Sequence, residues 1–320
     1  MTVPVAERIK GVLTPVVTPF DRDLRPDSKR FVRQCRWLVE QGVGLAAFGT
    51  NSEANSLALT EKLALLDALV EAGLPPGRLM PGTGCCALTE TVELTRHAVR
   101  HGCGGVLMLP PFYYKGVSDE GLYRSYSEVI QRVGDERLRI YLYHIPPVSQ
   151  VPISLPLIER LLKAYPGNIA GVKDSSGNWD NTRAMLEQFQ PQGFDVFAGA
   201  ETFLLPTLRA GGAGCISATA NVNPGPIARL ARTWKQADAD AQQAALTALR
   251  DIFQKFPMIP ALKAAVAEYA KDPEWATVRP PLVELDDGQR SGLLQALHAA
   301  EFSMPGLIAD QPNIRSKAGA

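Results

Sequence analysis

The chain is predicted to be an α/β protein, a (β/α)8 TIM barrel with a C-terminal helical extension. Two observations carry that prediction. Eight short runs are apolar throughout, and each is followed by an amphipathic stretch of helical period; strands buried on both faces read this way, as in a parallel sheet covered by helices. Eight such units in about 230 residues is also the number and size of a closed barrel. A doubly wound open sheet ranks behind, because no G-x-G-x-x-G opens the first βα turn.

In order, the predicted strands are 12–17, 45–48, 79–81, 106–109, 140–144, 169–172, 196–198 and 215–217. Between them, hydrophobic periodicity predicts helices over 27–40, 60–72, 88–100, 118–132, 155–164, 180–189, 202–209 and 226–234. Thr60-Glu61-Lys62 and Ser118-Asp119-Glu120 place a capping residue ahead of an acidic first turn. Three further helical patterns follow, at 239–255, 261–270 and 288–299, with Arg279-Pro280-Pro281-Leu282 reading as a rigid loop between the last two. The expected organisation is therefore a barrel over 1–235 that carries the active site, a helical segment over 236–302 packed on it, and a loosely ordered tail over 303–320.

Bulk properties narrow the function. Lys plus Arg and Asp plus Glu each number 33 in 320 residues, so the formal net charge is zero, without the basic excess of a nucleic-acid partner. No run approaches the ~18 consecutive apolar residues of a membrane span, and the first residues lack a signal peptide's basic start and apolar core. Five cysteines (Cys35, Cys85, Cys86, Cys103 and Cys215) show no C-x-x-C spacing, which reads as reduced thiols in the cytoplasm and supports no zinc site. Small-molecule substrates are expected, with no nucleic acid and no membrane.

Barrel enzymes place reactive groups where strands end. Those positions hold Gly49-Thr50-Asn51-Ser52-Glu53, Pro111-Phe112-Tyr113-Tyr114-Lys115, Tyr143-His144-Ile145-Pro146, Lys173, Gly199-Ala200-Glu201 and Ser217-Ala218-Thr219. An ammonium at the end of a core strand is costly unless paired, and a neutral amine there is a nucleophile for carbonyl carbon. Lys173 is equally readable, from its segment alone, as a structural lysine bonded to an acid such as Asp174. One amine, several hydroxyls and few carboxylates suit imine chemistry with hydroxyl proton shuttles. They suit neither a metal-bound water, which needs about three ligands, nor a G-x-S-x-G hydrolase. His144 alternates to the opposite face of its strand from Tyr143 and is expected to pack. His97 and His101, four apart on one helix, are expected to be surface histidines without a carboxylate partner rather than a metal pair.

Taken in order, these motifs, opened by Leu13-Thr14-Pro15 and Thr18-Pro19-Phe20, resemble the dihydrodipicolinate synthase/N-acetylneuraminate lyase family of class I pyruvate-dependent aldolases, over roughly residues 8 to 300. The resemblance implies Lys173 as the Schiff-base lysine, Tyr143 as the proton-relaying phenol, Thr50 as the hydroxyl bonded to that phenol, and Tyr113 as an aromatic completing the relay of a neighbouring subunit. It further implies that backbone N–H groups around Thr50 and Asn51 hold the pyruvate carboxylate at a helix start, that the backbone of Gly199 and Ile216 lines the pocket, and that Glu201 meets substrate hydroxyls. No cofactor and no metal are implied beyond the covalent imine, and the assembly is a homotetramer or homodimer.

Departures from the family pattern shape the substrate reading. Asn51-Ser52 stands where threonine and glycine are common, and Val148 stands where synthases carry an arginine for the acidic aldehyde. Loss of that charge-assisted bond, worth about 1.5–3 kcal/mol, favours a lyase for a 2-keto-3-deoxy sugar acid or 4-hydroxy-2-oxo acid. The alternatives are dihydrodipicolinate synthase itself, condensing pyruvate with aspartate semialdehyde, and a non-catalytic keto-acid-binding barrel.

Overall fold

A computed structural model describes residues 8–307. Seven parallel strands run β1 (Gly11–Thr14), β2 (Gly44–Leu45), β3 (Val106–Met108), β4 (Ile140–His144), β5 (Ile169–Asp174), β6 (Asp195–Ala198) and β7 (Gly214–Ile216), in the order β2-β1-β7-β6-β5-β4-β3. Residues 79–82 join the two sheet ends. Leu45 pairs with Leu79 and Gly82 with Leu107, both parallel, while Met80 N–H donates to Leu45 O at 2.8 Å and Leu107 N–H to Pro81 O at 2.9 Å. The eighth stave is thus present as a short ladder. Pro81 has no N–H to extend it, and Gly82 lets it close, since a Cβ there would lie 2.2 Å from Phe48 O.

The helices are α1 (Ser28–Glu40), α2 (Leu59–Glu71), α3 (Leu88–Arg100), α4 (Asp119–Val133), the single turn α5 (Pro146–Ser149), α6 (Leu155–Ala164), α7 (Trp179–Phe189), α8 (Leu204–Arg209), α9 (Pro224–Thr233), α10 (Ala239–Gln254), α11 (Met258–Ala270) and α12 (Asp287–Ala299). Ser118 caps α4 as its sequence predicts, accepting Gly121 N–H. Thr60 does not cap α2. That helix starts one residue earlier, and Glu61 reaches back to accept Ala58 N–H at 2.8 Å.

Period-two alternation along the strands divides the interior in two. Leu13, Ala46, Met80, Leu107, Tyr141, Phe197 and Ile216 fill the inside of the barrel. Their strand neighbours Val12, Val172, Val196 and Cys215 face the helices in a second, larger core. All five cysteines are free; burial pushes the Cys35 and Cys215 thiols well up and that of Cys103 to about 12.

The C-terminal segment is bound to the barrel by polar contacts as well as packing. Arg279 bridges Glu61 at 2.6 Å and donates to Leu24 O. Residues 303–307 dock, with Met304 and Leu307 buried and Trp37 Nε1–H donating to Pro305 O at 3.0 Å. The rest of the expected tail, 308–320, lies outside the described residues, as do residues 1–7. No helix among the described residues is long and apolar enough to cross a membrane.

Candidate active site

Strand register brings the central pair together. Tyr143 of β4 lies opposite Lys173 of β5, and Lys173 opposite Phe197 of β6. In-register neighbours of a parallel sheet point to the same face, and here that face is the barrel interior. Lys173 is 2% exposed, and its Nζ stands 4.2 Å from the centre of the Tyr143 ring. The next residues, His144 and Asp174, point outward to the helices. Asp174 Oδ2 accepts Thr182 Oγ1–H at 2.6 Å and Asn181 Nδ2–H at 3.1 Å, while Oδ1 accepts Ser176 N–H at 2.9 Å. Its carboxylate serves the start of α7, which removes the reading of Lys173 as a lysine bonded to Asp174. His144 Nδ1 accepts Ile153 N–H at 3.0 Å; burial, opposed by Asp174, lowers its pKa and keeps the ring neutral.

Thr50 completes the group, its Oγ1 lying 3.2 Å from the Tyr143 hydroxyl. The loop that presents it is held under strain. Phe48 and Glu53, at φ 61° and 55°, are non-glycine residues in the left-handed region on either side of Gly49–Ser52, a conformation that costs on the order of 1–3 kcal/mol per residue. Thr50–Ser52 is a single 3-10 turn, not the helix start expected, yet its first two N–H groups, those of Thr50 and Asn51, still have no partner within the turn.

The loop is anchored from below by an ion pair. Glu53 and Lys263 side chains are both 0% exposed, with Nζ 2.7 Å from Oε1, and Glu53 Oε2 accepts Arg279 N–H at 2.9 Å. Burial brings the Lys263 ammonium down to about 8 against the opposing pull of Glu53. The helical segment therefore positions the loop that carries Thr50 and Asn51. The sequence signal for it was Lys263 in the middle of the apolar run 261–267 of α11.

Above the pair opens a cleft of about 1240 Å³ including its mouth, whose walls include Thr50, Asn51, Tyr143, Val148, Lys173 and Gly199. Gly199 has to be small, because a Cβ there would sit 2.1 Å from Ser175 Oγ. Val148 is 61% exposed at the rim.

Ile216 is wholly buried in the inner barrel core, in the same cluster as Tyr143, and Ala218 two residues on is at the cleft wall. Glu201 is buried too and is absent from the cleft wall. Its oxygens accept Ser217 and Thr219 hydroxyls and sit 2.8 Å from Arg250 Nη1. It is Arg250, 12% exposed on α10, that lines the cleft. Sequence reasoning missed it. Its signal was a cation between Leu246 and Phe253, on the buried stripe of α10.

Tyr113 is not at this cleft. It is 74% exposed, edge-on to Tyr114 at 5.4 Å, on a loop that Lys115 pins by donating to Phe112 O and to Ser149 O.

Comparison with known proteins agrees with this fold. The family model described as the dihydrodipicolinate synthetase family matches residues 8–300. The chain is 33% identical over 294 residues to an uncharacterized DapA-like lyase of Chloroflexus aurantiacus, covering 90% of this chain and 95% of that protein. It superposes on dihydrodipicolinate synthase of Agrobacterium tumefaciens with a TM-score of 0.84 at 31% identity, over 91% of this chain and 99% of the other. The prophage protein YagE of E. coli K12, a member of the dihydrodipicolinic acid synthase family solved in complex with pyruvate, superposes with a TM-score of 0.83 at 26% identity, over 92% and 99% of the two chains. The chain is an enzyme of the lyase class and belongs to the dihydrodipicolinate synthetase family.

Proposed function

We propose that the chain is a Schiff-base lyase that joins pyruvate to an aldehyde, or cleaves a 2-oxo acid into those two, with Lys173 as the nucleophile. The observation that carries this reading is the placement of Lys173 beside the Tyr143 ring on the barrel's inner face, with the Tyr143 hydroxyl bonded to Thr50. A protein that only bound a keto acid would need no such proton path.

The amine of Lys173 adds to C2 of pyruvate and water leaves, forming an iminium. The N–H groups of Thr50 and Asn51 hold the carboxylate. The iminium draws electrons from C3, so loss of a methyl proton gives an enamine, whose C3 attacks the aldehyde carbon. Tyr143, its hydroxyl oriented by Thr50, gives a proton to the alkoxide that forms and takes one back in the cleavage direction. Hydrolysis of the imine frees Lys173. No cofactor takes part.

Arg250 supplies N–H donors for the far end of the acceptor. Glu201 neutralises its charge, so the pair suits hydroxyl oxygens, and a 2-keto-3-deoxy sugar acid or 4-hydroxy-2-oxo acid is the preferred substrate class. The second reading, condensation with aspartate semialdehyde, is favoured by the 31% identity to the Agrobacterium synthase. In that case Arg250 would serve the carboxylate that Val148 cannot. We place the enzyme in the cytoplasm as a homodimer or homotetramer, its exposed Tyr113 entering a neighbouring subunit's site.

Incubation with pyruvate and borohydride, followed by intact mass and peptide mapping, tests the mechanism. One pyruvyl adduct on Lys173 is expected; an unmodified Lys173 would sink it. An aldehyde panel then ranks acceptors, and aspartate semialdehyde in first place would overturn the preferred substrate class.

A further inference from the structure

On the outer surface of the barrel, α2 and α3 bring three ligand atoms together. His97 and His101 sit one turn apart at the C-terminal end of α3, and Asp67 faces them from α2. Asp67 Oδ1 is 2.6 Å from His97 Nε2 and 2.6 Å from His101 Nε2, and the two Nε2 atoms are 3.2 Å apart. All three side chains are partly exposed. The expectation of histidines without a carboxylate is thereby corrected. The partner comes from the neighbouring helix, thirty residues away from His97, where helical spacing could not show it.

A hydrogen bond to Asp67 requires only one imidazole. If both Nε2 atoms carry protons, the two N–H groups crowd each other; if one does not, its lone pair faces the carboxylate oxygen at 2.6 Å. A cation bound between the three atoms removes either conflict. A tetrahedral ion about 2.0–2.1 Å from each nitrogen has ligand edges of about 3.3 Å, close to the 3.2 Å between the two Nε2 atoms. Asp67 need withdraw by about 0.7 Å from each nitrogen, and the partial exposure of all three side chains leaves room for water as a fourth ligand.

We propose that Asp67, His97 and His101 bind a divalent transition-metal ion of the zinc type. Two imidazoles select against magnesium and calcium, which take oxygen ligands. Among the described residues neither Nδ1 is held by a hydrogen bond, so the rings are not locked by outer contacts and the ion exchanges readily. The C-terminal end of α3 lies at the face of the barrel where strands begin, opposite the cleft and away from the chemistry. The ion ties α2 to α3 and stabilises the folded chain by binding it and not the unfolded one.

The test titrates the untagged full-length protein, stripped with chelator and kept reduced, with Zn2+ by calorimetry and Co2+ by visible absorption. The expected result is one saturable equivalent with nitrogen- and oxygen-ligand bands, and a melting temperature raised by Zn2+. Asp67→Asn should weaken binding by at least about tenfold, and the double variant His97→Gln/His101→Gln should abolish both binding and the melting shift. Near-UV circular dichroism confirms that the variants keep their fold. The proposal is overturned by absence of saturation, by unchanged binding in the double variant, or by thiolate charge-transfer bands, which would put the ion on cysteines such as Cys85 and Cys86.

Discussion

Arg250 Nη1 lies 2.8 Å from Glu201 Oε2, and through this contact the C-terminal helical segment supplies a cation to the mouth of the barrel. Arg250 Nη1 also meets Ser217 Oγ at 3.1 Å, while its buried Nε has no hydrogen-bond partner among the described residues. The guanidinium is therefore aligned by the barrel at the cleft wall.

Replacing it separates the two halves of the reaction. Arg250→Met should leave borohydride trapping of pyruvate on Lys173 intact and lower kcat/KM for the acceptor. The loss expected for a charge-assisted bond, about 1.5–3 kcal/mol, corresponds to roughly 10- to 100-fold. Equal loss of trapping and of acceptor use would show that Arg250 shapes the whole site instead.

Tyr143→Phe keeps the ring against Lys173 and removes the hydroxyl. Steady-state turnover is expected to fall by about 10²–10⁴-fold, the usual worth of a positioned acid–base. Thr50→Val, which leaves the phenol in place without its partner, should cost less. Lys173→Ala should give no adduct at all. Near-normal turnover of Tyr143→Phe would remove the phenol from the proton path.

Glu53 and Lys263 give a stability prediction. Removing one member strands a buried charge, so Glu53→Gln or Lys263→Met should each cost about 3–5 kcal/mol in urea unfolding. The double substitution should cost less than the sum of the two, because it leaves no lone charge. Strict additivity would mean that the pair is not coupled. Because the pair underlies the Thr50–Asn51 turn, both single variants should also lose turnover in the fraction that remains folded.

His144 carries a pH prediction. Burial lowers its pKa below the ordinary 6.5, so the unfolded chain takes up this proton first. Its contribution to stability is present above about 6.5 and is lost as pH falls from there through the lower, folded value. Protonation would also end acceptance of Ile153 N–H. The stability difference between pH 7.5 and pH 5.5, measured by urea unfolding, should shrink in His144→Asn, and an unchanged difference would show that other groups set the acid response.

The strands and helices were legible because periodicity reports burial locally. The predicted spans for β4, α3 and α6 coincide with those in the structure. The eighth stave was legible as an apolar run, although Pro81, which has no N–H, leaves it as bridges only. Tyr143 and Lys173 could be named from strand ends, since register on a parallel sheet carries both to one face. Arg250, Lys263 and Asp67 were not named. Each acts on a residue dozens to hundreds of positions away, and a charged residue on a helix reads as solvated until its neighbour is known.

The sequence by itself thus determined the alternation of elements, the family, and the amine and phenol at the ends of adjacent strands, because these follow from patterns within a few residues of each other. Only the tertiary structure decided that Glu201 faces Arg250 rather than the open cleft, that Glu53 is neutralised from α11, and that Asp67 joins His97 and His101. Those outcomes depend on which charges become neighbours when water is excluded between distant segments, and a buried charge takes whatever partner the packing brings within reach.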